Sequence, residues 1–336
     1  MDVTNNSLNT IRFIAAFQVL YYHSGYHLEC FLPDPVDGII NFFWGVPLFL
    51  TISGFLIWFS AERSVSYWSF LKKRFWRIYP ELWGGVVICI LSIYLTYDTF
   101  RPLDMILFAL GQGTLFQFWT PDSLRSFGCG TPNGSLWTIS VIIQFYLIVW
   151  FLRKLLHGKS IRVWAVSFIL VLIIDIVGDR VSAILPEMLG KLYGVTFVPF
   201  LWMFILGCIV AEFWKEISGL LVRFWWVLIL IVVLLDVFSY DIVYLGHYGF
   251  LRSSLEFLGL LGFAYHYPAL RIKKDISYGV YIYHMIIVNV LIQYGFVNTY
   301  WALLLVVVLT LVLAYASSIT LGRLSSMRRK RLSALI

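Results

Sequence analysis

Charged residues are scarce in this chain. Asp, Glu, Lys and Arg make up 13% of its 336 residues, whereas 60% of the chain is hydrophobic. Soluble domains are about one quarter charged, so this composition excludes an ordinary soluble enzyme and a disordered chain. Metal-ligand spacing is also lacking: the four cysteines form no CxxC pair, and we expect neither a disulfide framework nor a bound metal. The composition predicts an integral membrane protein.

About ten apolar runs are long enough for membrane-spanning helices, which need ~20 residues each. They lie near residues 8–28, 38–60, 81–97, 136–152, 163–178, 196–214, 224–240, 248–267, 276–295 and 300–322. The first run lacks the basic start and the cleavage site of a signal peptide, so we expect a retained span. The sequence therefore predicts an all-α bundle of about ten transmembrane helices. We expect one membrane domain, residues 1–336, without a separate soluble domain.

Basic residues concentrate between the apolar runs, and the loops that carry them predict the orientation. The clusters lie near residues 63–77, 153–162, 215–223, 271–274 and 323–331. By the positive-inside rule these segments are cytoplasmic. They fall on one side only if the weak, glycine-interrupted run 104–119 does not cross, so we expect a re-entrant or surface helix there and both termini in the cytoplasm. Orientation accounts for the net charge of +7, and we expect no nucleic-acid partner.

Two ionisable residues stand inside the first run. Arg12 and His23 are separated by three helical turns, which places both side chains on one helix face, with His23 ~16 Å farther along. Such residues are costly within a span and often functional. Arg12 could hold a phosphate-bearing cosubstrate while His23 acts as a general base. Equally, Arg12 could reach the lipid headgroups and His23 could be a satisfied core histidine.

A second basic group enters the third run from the cytoplasmic side. Lys73, Arg74 and Arg77 stand close together, and the two arginines share a helix face at i, i+3. Paired arginines suit a phosphate or pyrophosphate. On charge alone, inside-positive lipid contact explains them better. Pro80 follows and predicts a helix start or a kink.

The ninth run carries a polar stripe. Ser277, Tyr281 and His284 recur at i, i+4 and i+7, which aligns them on one helix face. The stripe suits either a functional pore or interhelical hydrogen bonding. In the second run, Gly45 and Gly54 allow close helix approach, which structure alone would explain.

Five stretches occur in an order that resembles a known family. They are Leu8–Arg12 with His23, Gly45–Phe49 with Ser53–Ile57, Arg74–Pro80, Ser135–Val141 with Gln144–Tyr146, and Ser277–His284. Together they resemble the acyltransferase-3 family of membrane acyltransferases, which includes bacterial polysaccharide O-acetyltransferases. One position departs from the family pattern, because Ile142 stands where members usually have a glutamate.

The resemblance implies a function and assigns roles to residues. An acetyl or other short acyl group would pass from cytoplasmic acyl-CoA, such as acetyl-CoA, to a sugar hydroxyl of a cell-surface or lipid-linked polysaccharide, for example lipopolysaccharide. The expected place is the bacterial inner membrane, in contact with its lipids. His23 would be the catalytic base. Arg12, which is also assigned to the catalytic residues, would with Arg74 and Arg77 hold the CoA phosphates or position the thioester, and Lys73 would join the arginines in binding the donor. The residues expected to line the pore are Ser53, Trp137, Gln144, Ser277, Tyr281 and His284.

Two other functions fit the composition. A transporter or flippase for a lipid-linked or small anionic solute would use Arg12 and His23 as substrate or proton sites. Against it, the sequence has no visible inverted repeat. A membrane scaffold would use the polar stripe only for helix contacts. Release of free CoA separates an acyltransferase from a transporter, and an unchanged His23→Ala phenotype would indicate a scaffold.

Overall fold

The computed structural model describes residues 5–238 and 248–334, and within these ranges the chain is helical, without strands. The helices are α1 (Leu8–His27), α2 (Asp34–Asn41), α3 (Gly45–Glu62), α4 (Tyr67–Thr96), α5 (Pro102–Gln112), α6 (Trp137–Leu156), α7 (Ile161–Ile184), α8 (Glu187–Gly194), α9 (Leu201–Glu212), α10 (Trp214–Phe238), α11 (Phe250–His266), α12 (Ser277–Gln293), α13 (Tyr300–Ile319) and α14 (Leu321–Ala334). Short 3₁₀ turns precede α6 and α9. The all-α prediction is confirmed for this part of the chain.

Among the described residues, six helical segments are long and apolar enough to cross a membrane, or seven if α8 and the bent segment Val198–Glu212 form one broken span. The protein is therefore a multi-pass membrane protein. Each apolar run of the sequence coincides with a helix. Helix α1 is too polar to be counted as a candidate span, and α11 and α12, with 17 residues each, are too short. The number of about ten spans and the cytoplasmic placement of both termini stay predictions.

The weak run 104–119 folds as a short helix followed by a compact turn. Helix α5 has 11 residues, ~16 Å of helix, against a hydrocarbon core of ~30 Å. After it, Gln112 Nε2 donates to the Gln117 carbonyl over 3.0 Å, and Ser140 Oγ of α6 donates to the Leu115 carbonyl over 3.0 Å. This stretch cannot cross as one straight helix; its placement as a re-entrant or a surface helix stays a prediction.

The chain divides into two compact units. The first comprises residues 1–12, 46–70 and 141–273. In it, α3 and α9 cross at two glycines: a Cβ on Gly54 would lie 2.2 Å from the Phe204 carbonyl oxygen, and one on Gly207 would lie 2.1 Å from that of Thr51. Neither helix can accept a side chain at this crossing, which fits the close approach expected of the second apolar run.

The first unit also holds a buried group of charges. Arg252, on α11, donates from Nε and Nη2 to the two carboxylate oxygens of Asp236, on α10, each over 3.0 Å. Its Nη1 donates to Glu256, one turn farther along α11. The side chains of Arg252 and Glu256 are each 1% exposed. Charge-assisted hydrogen bonds of Arg252 therefore join α10 to α11.

The second unit comprises residues 13–45, 71–140 and 274–336. Its centre is α12, which is buried over most of the stretch from Ser277 to Leu291. Helix α13 packs against it so closely that a Cβ on Gly279 would lie 2.7 Å from Ala314 Cα. Because α12 is buried, its polar side chains must find partners within the protein.

Candidate functional site

Two histidines meet in the second unit. His23 lies in the last two turns of α1 and is half-buried, whereas His284 lies in α12 and is fully buried. His23 Nδ1 and His284 Nε2 are 3.0 Å apart, and the two rings meet edge to edge, with centroids 5.3 Å apart and planes inclined by 23°. The structure thus joins a residue of the first apolar run to the polar stripe of the ninth.

Tyr281 fixes the segment that leads into α6. Its hydroxyl donates to the Ser135 carbonyl over 2.7 Å and lies 2.6 Å from Thr138 Oγ1. In return, Ser135 Oγ donates to the Tyr281 carbonyl over 3.1 Å, and Asn133 Nδ2 donates to the Ile282 carbonyl over 3.0 Å. Two stretches that the resemblance singles out, 135–141 and 277–284, are therefore joined by hydrogen bonds.

Asn289 holds the preceding loop in the same way. It accepts from the Cys129 amide over 2.8 Å, and its Nδ2 donates to the Thr131 carbonyl over 3.1 Å. Gly128 is required here, since its φ is +55° and a Cβ would lie 2.1 Å from Asn289 Oδ1. Loop 128–133 is thereby fixed along α12.

Cys129 is the chemically distinctive residue of this loop. Burial raises the pKa of its thiol, but hydrogen bonds with His27 and Thr131 outweigh burial, so the pKa lies below the ordinary value. Cys129 is half-buried, whereas Cys30, Cys89 and Cys208 are buried. In the described ranges 5–238 and 248–334, no group of three or more His, Cys, Asp or Glu residues could hold a metal ion.

The paired arginines lie on α4, where Arg77 makes an ion pair with Asp275. Its Nη2 is 3.2 Å from Asp275 Oδ2. The other carboxylate oxygen of Asp275 accepts from the amide of Ser277 over 3.1 Å and from its hydroxyl over 2.6 Å. Arg77 is thus held at the start of α12. Lys73 and Arg74, both half-buried, precede it on α4.

The remaining predicted residues have separate places. Trp137 begins α6 in the second unit and is half-buried, whereas Arg12, Ser53 and Gln144 belong to the first unit. Gln144 holds a turn of the chain there: its Nε2 donates to the Val195 carbonyl and its Oε1 accepts from the Phe197 amide, both over 3.0 Å. The three residues of the polar stripe also have different partners. Ser277 binds Asp275 at the start of α12, Tyr281 binds Ser135, and His284 contacts His23.

Sequence reasoning missed several polar residues that matter here. Asp275 could have been found from its place two residues before Ser277, at the start of a helix, where a carboxylate accepts free backbone amides. Arg252 and Glu256 stand at i, i+4 inside an apolar run, a pattern that itself indicates an intramembrane ion pair. Asn289 gave no local signal, because its partners are in a distant loop.

Comparison with known proteins gives the family. The family described as an acyltransferase domain matches residues 5–322. The chain belongs to the acyltransferase-3 family. Its apolar helices and this membership together make it a multi-pass membrane acyltransferase.

Relatives with curated names agree with that assignment. Nodulation protein 10 of Rhizobium leguminosarum bv. viciae is 28% identical, over 93% of this chain and 90% of that protein. The O-acetyl transferase of Shigella phage Sf6 is 26% identical, over 93% of each chain. A peptidoglycan O-acetyltransferase, OatA of Listeria monocytogenes, is 26% identical over 42% of this chain and 23% of its own length. No solved structure matches.

Proposed function

We propose that this acyltransferase moves an acetyl or other short acyl group from cytoplasmic acyl-CoA to a sugar hydroxyl of a surface or lipid-linked polysaccharide in the bacterial inner membrane. The observation that carries the proposal is the pair of His23 and His284 inside a family match that spans residues 5–322. Two relatives named as O-acetyltransferases support an oxygen acceptor. An imidazole in a span is the side chain suited to take a proton near neutral pH.

In the proposed reaction, His23 is the general base. It takes the proton of the sugar hydroxyl as that oxygen attacks the thioester carbonyl carbon, and the carbon–sulfur bond then breaks. The departing sulfur receives the proton from His23, so one ester and one thiol form from one thioester and one alcohol. No acyl-enzyme is needed in this scheme.

Arg77 is the residue that we assign to the CoA phosphates, with Arg74 and Lys73 beside it on α4. Guanidinium groups bind phosphate oxygens in a bidentate manner, and Asp275 holds the Arg77 guanidinium in place while leaving it partly exposed. The role of Arg12 toward the anionic donor stays a prediction of the resemblance.

The test is release of free CoA from acetyl-CoA by the purified protein in nanodiscs, with and without a membrane polysaccharide extract. We expect extract-stimulated release that His23→Ala abolishes and that His266→Ala, at an exposed imidazole in the other unit, leaves unchanged. Arg77→Gln should raise KM for acetyl-CoA at least ~10-fold, the cost of one charge-assisted contact, whereas Arg101→Gln should not.

Three results would count against the proposal. Full activity in His23→Ala would remove the histidine base while keeping the acyltransferase. An unchanged KM in Arg77→Gln would remove Arg77 from the donor site. A protein that neither binds acetyl-CoA nor releases CoA with any extract would overturn the assignment of acyl-CoA as donor.

A further inference from the structure

The contact between His23 and His284 also determines where the protons sit. His284 is engaged at both ring nitrogens: Nε2 lies 3.0 Å from His23 Nδ1, and Nδ1 lies 3.1 Å from the carbonyl oxygen of Val280, one turn earlier on α12. A carbonyl oxygen can only accept a hydrogen bond, so His284 Nδ1 must carry a proton.

The rest of the arrangement follows for a neutral pair. With Nδ1 protonated, a neutral His284 has its lone pair on Nε2, which therefore accepts. His23 must then donate from Nδ1, which leaves the lone pair of a neutral His23 on Nε2. Both hydrogen bonds therefore run in one direction, from His23 Nδ1 to His284 Nε2 and from His284 Nδ1 to the Val280 carbonyl, and the carbonyl of α12 sets that direction.

The free nitrogen of His23 points away from its partner. Within residues 5–238 and 248–334, the His23 ring makes one hydrogen bond, through Nδ1 to His284. The nearest aromatic neighbours on α1, Tyr22 and His27, have ring centroids 6.3 Å from that of His23. His23 is half-buried, and its Nε2 is not among the fully buried side-chain atoms that lack a partner in the described residues, so this nitrogen is open to a substrate hydroxyl.

His284 is held rigidly enough to act as a support. Tyr281, three residues earlier, is hydrogen-bonded to Ser135 and Thr138. Asn289, five residues later, is hydrogen-bonded to loop 128–133. These anchors fix α12 on both sides of His284, which is itself fully buried. A side chain locked by packing and hydrogen bonds can hold a catalytic group in its productive geometry.

We propose that His284 is a positioning residue that locks His23 in the Nδ1-protonated tautomer and thereby makes Nε2 the catalytic base. This inference rests on the proposed function and names the atom at which that base acts. During the reaction His23 Nε2 gains the hydroxyl proton and later gives it to the departing sulfur. Throughout, His23 Nδ1–H stays bonded to His284 Nε2, and His284 keeps its own proton on Nδ1.

The tautomer can be measured without any turnover. Nitrogen-15 histidine spectra of the protein in lipid distinguish protonated from unprotonated ring nitrogens, and single His→Gln variants assign the six histidines. We expect a protonated Nδ1 and an unprotonated Nε2 on His23 in the unaltered protein. An Nε2-protonated His23 would overturn the proposal, whatever the activity.

Two variants separate positioning from mere structure. His284→Gln keeps an acceptor, Oε1, near the place of Nε2, whereas His284→Leu has none. We expect His284→Leu to release Nδ1 of His23 and to lower kcat for CoA release at least ~100-fold, since a wrong tautomer costs ~10⁴-fold in a serine-protease triad. KM for acetyl-CoA should stay within about twofold. His284→Gln should keep the tautomer and recover most of kcat, provided that both variants unfold at similar temperatures.

The outcomes also distinguish this inference from the function on which it rests. If His284→Leu leaves the His23 tautomer unchanged, His284 does not position it. If the tautomer shifts as expected but His23→Ala still releases CoA, the proton arrangement stands and the histidine-base mechanism falls, and with it the catalytic part of this proposal. A loss of kcat in His284→Gln equal to that in His284→Leu would show a packing role only.

Discussion

The glycine crossing of α3 and α9 gives a stability prediction whose size can be worked out. In Gly207→Ala the new Cβ would lie 2.1 Å from the Thr51 carbonyl oxygen and 2.6 Å from the Phe55 amide nitrogen. Both atoms are backbone, so no side chain can rotate away. Since non-bonded heavy atoms are comfortable near ~3.5 Å, the helices must separate by roughly 1 Å.

The separation of the two helices determines how much the free energy of unfolding falls. Overpacking costs ~1–3 kcal/mol, and the upper end applies because main chain must move on both sides. The better helix propensity of alanine returns about 1 kcal/mol, so we expect a net loss of about 2 kcal/mol. Gly219 of α10 is the matched control: a Cβ there meets nothing within 4 Å, and Gly219→Ala should be neutral or stabilising.

The measurement is thermal unfolding in one detergent, together with labelling of Cys208 by a thiol reagent. Cys208 is buried beside Gly207, and its Sγ lies 3.7 Å from the Gly54 carbonyl oxygen, so its labelling reports on this crossing. We expect Gly207→Ala to unfold several degrees below Gly219→Ala and to label faster at Cys208. Equal unfolding temperatures with equal labelling would refute the argument from close approach.

Two further predictions concern the second unit. Tyr281→Phe leaves the Ser135 carbonyl and the Thr138 hydroxyl without their buried partner, and should lower the free energy of unfolding by ~1–3 kcal/mol in a denaturation experiment; an unchanged stability would contradict the anchoring role. Cys129, whose thiol pKa is lowered, should alkylate at lower pH than an ordinary thiol, and His27→Ala should move the alkylation profile to higher pH; mass spectrometry across a pH series would contradict this if the profile did not move.

The helices were predictable because the signal for a membrane span is local. A run of apolar residues cannot leave its backbone unsatisfied in lipid, so each run becomes a helix whatever it packs against. Helix ends were less predictable. Helix α4 begins at Tyr67, well before the apolar run at 81, and continues through Pro80 instead of starting there. Neighbouring groups can satisfy the carbonyl that a proline leaves free within a span.

The sequence predicted which residues of the site share a helix face, but it did not predict which residues contact one another. Helical periodicity placed Ser277, Tyr281 and His284 on one face, which α12 confirms as a helix. The partner of His284 is 261 residues away and that of Arg77 is 198 residues away. Periodicity carries no information about such contacts, because tertiary packing decides them.

The ion cluster of α10 and α11 has a consequence for how the protein enters the membrane. Helix α11 has only 17 residues, and Arg252 and Glu256 would each oppose its transfer into lipid. Asp236, which relieves that cost, is on the preceding helix. During biosynthesis α10 should therefore wait at the translocon until α11 arrives, and the two should leave it as a preassembled hairpin in which Arg252 is already paired with Asp236 and Glu256 when lipid first surrounds it.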